Sequence, residues 1–424
     1  MAKKKLEGDS SSLKSVFDLV QSIDKNAEII AESAYSNIAE WIPTGSYILN
    51  AAMSGDLFKG AASGRFTIFQ GDSGVGKSFL ACSICREAQK MGYTPIYMDS
   101  EGAIDSTFVS RLGVDPKNLI IKQVSTISET SGFVANVCKQ LSDQEETHGT
   151  HQKVMFVLDS LGNLSSDKET DDTLSGNNKR DMTKAQEIRA LFRVNSIPIA
   201  KLQIPFIICN HVYAVVGSYV PTNTGAGGGG VKYAASLTME LSAAKLEDKE
   251  NEQAAAQRQG SETGTKTGVL VTAKAVKSRF CRPYKVKFQI PYYKEPNPFV
   301  GLEAFMNWEN SGVVRGNILS EKDYNKLSPS DQEKLAPFAF EYNGEKMWAQ
   351  PKETARGIII KHLGRTVTPV EFYSKTVFTP EYLEYLNEHV IHPMFDLPDQ
   401  SAFDDIKEIE DILETGETVN ETAE

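Results

Sequence analysis

The chain opens on a polar stretch, residues 1–12. Then Leu13, Val16, Leu19, Val20, Ile23, Ile29, Ile30 and Ala34 recur at helical spacing up to about Trp41. Apolar positions three and four apart give a helix one buried face, so a small helical lead-in is predicted there. From about residue 41 to 310 the pattern changes to short β-rich runs: Arg65–Gln70, Thr94–Asp99, Val154–Asp159, Ile204–Asn210, Leu237–Leu241, Gly268–Lys274 and Tyr284–Ile290. Helical segments separate the earlier of these, which predicts an α/β core with a mostly parallel central sheet flanked by helices. Two segments interrupt it. Gly217–Gly230, with Gly225 and Gly227–Gly230, is too glycine-rich for regular structure. Leu246–Lys266 is charged, rich in Gln and Ala, and predicts an exposed hairpin tip or mobile loop. Apolar patterning resumes over 311–395, around Trp348, as a small separate domain. The predicted organisation is therefore an N-terminal segment (1–40), the α/β core (41–310), a C-terminal accessory domain (311–395) and a tail (396–424).

Composition changes this picture in one respect. Apolar residues at 40% and charged residues at 24% of 424 are ordinary for a globular chain. The net charge of −11 argues at first against a nucleic-acid partner. Yet residues 396–424 hold eleven acidic side chains and one lysine, so the other 395 residues total only −1. The acidity is a tail, and the body is free to carry a local basic surface. No apolar run approaches the ~18 residues needed to cross a bilayer, and no apolar segment follows the basic Met1–Lys5 start, so a cytoplasmic protein without a membrane partner is expected. Five scattered cysteines fit that compartment. Cys82 and Cys85 have the spacing of half a zinc site, but without a second pair nearby; buried thiols are the plainer reading, metal or redox use the alternative.

The most specific chemistry lies at Gly71-Asp72-Ser73-Gly74-Val75-Gly76-Lys77-Ser78, a full match to G-x-x-x-x-G-K-[ST]. A strand-like run precedes it and a helical one begins at Phe79, the setting in which backbone N–H groups and a helix N-terminus cradle phosphates. Lys77 would neutralise the β and γ phosphates of ATP, and the Ser78 hydroxyl would ligate Mg²⁺. The buried run Val154–Leu158 ends in Asp159, a second candidate on the metal side. Ile96–Asp99 ends in carboxylates too, and Glu101, just past the strand end, is preferred over Asp99 as the base that activates water.

These residues, in this order, resemble the RecA-type recombinase family, and most closely the UvsX recombinases of T4-like phages. The resemblance covers roughly 41–310. It is carried by Trp41–Asn50 ahead of the phosphate loop, by Asp99-x-Glu101-x-x-x-Asp105, by Asp159–Leu164, by Asp181–Ala185 and by Asn210-His211, where RecA proper has Asn-Gln. It implies Glu101 as catalytic base, Asp105 at the adenine, and Phe108 in place of a stacking aromatic. His211 is implied as the γ-phosphate sensor that signals to the loop after it; a histidine capping a strand end is the plainer alternative. Lys277 and Arg279 resemble a pair of lysines that reach across a subunit interface to the neighbour's ATP, with Arg in place of the second Lys.

Two DNA-binding loops are implied as well. One spans about Ser165–Lys184, with Lys179, Arg180, Met182 and Lys184; the other is Val212–Gly230, with Val216, Gly228, Gly229 and Gly230. Basic side chains neutralise phosphates and an apolar wedge opens a base step, although alone such a charge cluster is more often a solvated face. The implied protein is a DNA-dependent ATPase using ATP and Mg²⁺. It would form a helical homo-oligomeric filament on single-stranded DNA and pair that strand with homologous double-stranded DNA. Residues 13–34 would pack on the next copy. The tail would compete with DNA, recruit a basic mediator or single-strand-binding partner, or merely solubilise. A ring-forming hexameric helicase and a non-catalytic mediator filament are the rival readings.

Overall fold

The computed structural model describes residues 10–25, 27–30, 33, 36–175, 183–214, 223–225, 234–247, 266–292 and 295–395. In chain order it begins with α1 (Ser10–Ile23), β1 (Trp41–Ile42), α2 (Tyr47–Ser54), β2 (Ala61–Ala62), β3 (Phe66–Gly71), α3 (Lys77–Lys90), β4 (Thr94–Asp99) and α4 (Ser106–Arg111). There follow β5 (Ile120–Gln123), α5 (Ile127–His148), β6 (Val154–Asp159), α6 (Asp167–Ser175), α7 (Lys184–Lys201), β7 (Phe206–Ala214) and β8 (Asn223–Gly225). Strands β9 (Leu237–Glu247), β10 (Lys266–Ser278) and β11 (Lys285–Pro291) come next. The chain then builds β12 (Val313–Ser320), β13 (Ala339–Tyr342), β14 (Glu345–Pro351), β15 (Ile358–Ile360) and β16 (Arg365–Val367), with short helices between and after them. In the first unit the strand order is β7-β6-β4-β5, with β8 on β7, and in the second β11-β10-β9.

By compactness the chain divides into two units, each discontinuous in sequence. The first is Met1–Ile42, Ala62–Thr67 and Ala88–Ala235. Here β5, β4, β6 and β7 run parallel, with Ile96 opposite both Ile120 and Phe156, and Phe156 opposite Phe206. Parallel neighbours require crossovers, and α4, α5 and α7 supply them. On α5 the buried positions are Ile127, Thr130, Val134 and Cys138, and on α7 Ile188, Leu191, Phe192, Asn195 and Ile199, each a stripe at helical spacing. Phe66, Phe156, Phe192 and Phe206 form a ring cluster with centroids 5.0–5.5 Å apart. The consequence for function is that β4 and β6 end side by side, Asp99 opposite Asp159.

The second unit is Pro43–Ala61, Ile68–Glu87 and Ser236–Glu424. Strands β9, β10 and β11 are antiparallel, and β11 alternates, with Val286, Phe288 and Ile290 buried. Among the described residues β10 and β11 are joined without a crossover helix, as an antiparallel pair allows. Strands β12–β16 form a separate antiparallel sheet, order β13-β14-β12-β15-β16, around Phe340, Ala349 and Ile359. Trp348 stacks on Tyr324 at 4.0 Å.

Three expectations are corrected. Of the lead-in, α1 begins at Ser10 and ends at Ile23, so the helical spacing beyond it is not realised as that helix. The segment 165–184 is not a loop throughout: Ser166 and Glu169 form a reciprocal cap (Glu169 N–H to Ser166 Oγ, 2.9 Å; Ser166 N–H to Glu169 Oε2, 3.4 Å) and α6 follows. Gly217–Gly230 does hold regular structure, because β7 runs on past His211 and its backbone pairs Val212–Ala214 with Asn223–Gly225 of β8.

Candidate nucleotide site

In the second unit, Gly71–Ser78 joins β3 to α3. Gly74 and Gly76 have φ of 77° and 98°, which glycine adopts without strain. A Cβ on Gly76 would lie 2.4 Å from Ile290 Cδ1, and one on Gly71 2.5 Å from the Leu241 carbonyl oxygen. Only bare backbone fits at these points, as close approach of a phosphate also requires. Val75 is buried and anchors the loop, while Asp72, Ser73 and Gly74 are exposed. Lys77 is buried, and its Nζ donates to the carbonyls of Gly71 (2.9 Å) and Asp72 (2.8 Å). Ser78 and Phe79 follow half-buried in the first turn of α3. The loop thus holds an ammonium on neutral carbonyl dipoles, which an anion bound there would replace with charge-assisted bonds.

The same unit carries Lys277 and Arg279 beyond an irregularity in the β10 ladder between Ala275 and Lys277, the kind of bulge that re-aims side chains. Burial lowers the Lys277 pKa, and the Arg279 charge lowers it further, so the two cations are neighbours. Arg279 is exposed.

In the first unit, Asp99 is buried, and its carboxylate accepts the N–H groups of Glu101 (2.9 Å), Gly102 (2.9 Å) and Ile104 (3.4 Å). That turn carries Glu101 outward. Glu101 Oε1 accepts from the buried Ser160 hydroxyl (2.8 Å) and lies 2.9 Å from His211 Nε2. Asp159 is buried at the end of β6 and accepts from the Tyr97 hydroxyl (2.6 Å). Ser100 and Ser160 bond reciprocally, Ser160 N–H to Ser100 Oγ at 2.8 Å and Ser100 Oγ–H to the Ser160 carbonyl at 2.9 Å, tying the ends of β4 and β6 together. The cluster is partly open: the side chains of Glu101 and His211 are 34% and 25% exposed, enough for water to reach the carboxylate.

Asp105 caps α4, its Oδ1 accepting the Phe108 N–H at 2.8 Å; Phe108 is half-buried. Lys184 starts α7 with its ammonium 3.7 Å from Glu169 Oε2 and 3.4 Å from the Gly162 carbonyl, held by the protein rather than extended. Lys179, Arg180, Met182, Val216, Gly228, Gly229 and Gly230 lie outside the described residues. All five cysteines are buried, and burial pushes the Cys85 thiol well up and the Cys138 thiol up to about 12. Among the described residues no helix is long and apolar enough to cross a membrane.

Sequence reading missed Ser160, Ser100 and Tyr97. Their signal was weak: hydroxyls beside strand-end carboxylates, whose partners lie about sixty residues away.

Comparison with known proteins adds the final observation. The RecA N-terminal domain family matches residues 18–295. The chain is 29% identical over 243 residues to the "Recombination and repair protein" of Enterobacteria phage T4, covering 56% of this chain and 59% of that protein. It is 28% identical over 288 residues to "Protein RecA" of Acholeplasma laidlawii (67% and 78%), and 28% over 338 residues to "Protein RecA" of Roseiflexus castenholzii (77% and 79%).

Proposed function

Because the chain belongs to the RecA N-terminal domain family, we propose that it is an ATP-dependent DNA recombinase that acts as a filament on single-stranded DNA in the cytoplasm. The observation that carries this reading is Glu101, held by Ser160 and touching His211. A water-activating base is thereby coupled to β7, the strand that runs on past His211 into a candidate DNA-binding segment.

In this reading the Gly71–Ser78 loop would bind ATP with Mg²⁺, and Lys77 would leave its carbonyls for the β and γ phosphates. Ser78 would ligate the metal, with Asp159 a second candidate ligand, and the metal would supply charge neutralisation on the phosphates. Glu101 accepts a proton from the attacking water as the oxygen bonds to the γ phosphorus and the bond to the bridging oxygen breaks, leaving ADP and phosphate. His211 exchanges Glu101 for the γ-phosphate when ATP is bound and returns after hydrolysis. That exchange moves the end of β7 and with it the β7–β8 pairing. Lys277 and Arg279 act on the nucleotide of the adjacent copy, and Asp105 and Phe108 face the adenine.

Assembly has support in α1: Val16, Leu19, Val20 and Ile23 are exposed at helical spacing. An apolar face matched by a different surface on the next copy makes a heterologous contact, which propagates as a helix. The basic loop residues would follow the phosphate backbone, with homologous duplex tested by base pairing.

The test is single-strand affinity with ATP, with ADP and without nucleotide, beside joint-molecule formation. Affinity highest with ATP, and joint molecules only with ATP, are expected; equal affinity in all three states rejects the reading. Glu101→Gln should retain ATP binding and lose about 10²–10⁴-fold in turnover. Electron microscopy of the ATP–DNA complex should show filaments, and rings would favour a helicase.

A further inference from the structure

A cavity of about 600 Å³ opens in the C-terminal part of the second unit, away from every residue assigned above. That is the size of a small-ligand site. Its walls are aromatic: Trp308, Tyr342, Tyr382 and Tyr385. The Tyr382 and Tyr385 rings are nearly parallel at 6.2 Å. Their hydroxyls donate to the carbonyls of Ser311 (2.7 Å) and Asn310 (3.2 Å), so their polar ends are already committed. Tyr342 is set against the backbone of Gly364, where a Cβ would come within 2.1 Å of its ring.

Three carboxylates line the same cavity from three different elements: Glu309, Glu341 and Glu381. Among the described residues none of the three forms an ion pair with a basic side chain. One cation, Lys361, is present, and its ammonium lies 5.8 Å from the Trp308 ring centroid. The protein's own lysine thus already uses an aromatic face as a cation site. His362 keeps one polar need unmet. Its Nε2 faces the Val377 carbonyl at 3.0 Å and must be the donor there, which leaves Nδ1 as an acceptor. Nδ1 is buried without a partner.

We propose that this cavity binds an arginine side chain presented by a partner protein. A guanidinium is flat enough to stack between aromatic rings, carries the charge that three carboxylates call for, and has five donors for those carboxylates, while His362, its Nδ1 closed off from the cavity, adds no competing charge. The chain's own tail does not fit, since residues 396–424 bear eleven acids and one lysine and would meet charge of the same sign. Nucleic-acid phosphates meet the same obstacle. The inference stands apart from the ATPase reading and survives its failure.

Titration of the full chain with argininamide at physiological salt, followed by tryptophan fluorescence with saturating ADP present to fill the nucleotide loop, tests it, with dAMP as the second probe. A saturable response to argininamide and none to dAMP is expected. The combined Glu309→Gln, Glu341→Gln, Glu381→Gln variant should weaken binding at least tenfold, and Tyr385→Ala at least threefold, with unfolding curves showing both to be folded. Tyr385 is 41% exposed, so that variant keeps the test decisive if the combined one does not fold. Unchanged affinity in the variants would place the binding elsewhere, the acidic tail included. A saturable dAMP response would make the cavity a nucleobase site. Either outcome, or no saturable response to argininamide, overturns the proposal.

Discussion

The parallel strands of the first unit and the antiparallel sheet β12–β16 of the second organise polar chemistry in opposite ways. Parallel β4 and β6 end at one edge, so Asp99, Glu101, Asp159 and Ser160 arrive together although two of them are some sixty residues from the others. Antiparallel strands end at alternate edges and cannot concentrate chemistry in that manner. In the C-terminal sheet the carboxylates instead converge through a strand and short helices around a cavity. One arrangement aims a reactive group at a strand-end cleft. The other offers an aromatic pocket that recognises a group without changing it. Chemistry and recognition should therefore be separable by mutation.

The sharpest way to break that contrast is at the phosphate loop. Lys77→Ala should lower ATP turnover by at least about 10²–10³-fold, the loss typical of removing a charge-stabilising donor. Phosphate release measures it, and a change within twofold would show that hydrolysis does not depend on this loop. Comparable in size is Trp348→Ala, which removes a buried indole and its stack on Tyr324. A loss of about 3–5 kcal/mol is expected in urea unfolding, with ATP turnover per folded molecule retained. Turnover falling in proportion would deny the two regions their independence.

The smallest effect concerns acid. Burial pushes the His362 pKa below its ordinary value of 6.5, the hydrogen bond to Val377 opposing. The folded state therefore favours the neutral ring. Its stabilising contribution is present above pH 6.5 and is lost as pH falls through the lowered folded value, because the unfolded chain binds the proton more readily. The urea midpoint should fall on acidification below 6.5, and His362→Gln should fall less. Equal slopes would remove the histidine from the account.

Much of this protein follows from sequence alone. Local patterns are enough for the phosphate loop, because its glycines, lysine and serine are contiguous and their backbone requirements are local. The same holds for β3, β4 and β6, whose apolar runs match the observed strands to within a residue or two. The reciprocal Ser166–Glu169 cap was legible too, as a Ser-x-x-Glu signature, although a loop was read over it. What tertiary structure decided is the company these residues keep. Position along the chain already favours Glu101 over Asp99, but the chemical reason is tertiary: the Asp99 carboxylate is taken up by three backbone N–H groups. Ser160 and His211 reach Glu101 only because β4, β6 and β7 are neighbours in register. The C-terminal cavity left no trace in any local pattern, since its aromatic and acidic residues come from segments spread over some eighty positions. Hydrophobic period and turn chemistry act between near neighbours, whereas a site is a meeting of distant ones, and only packing arranges that.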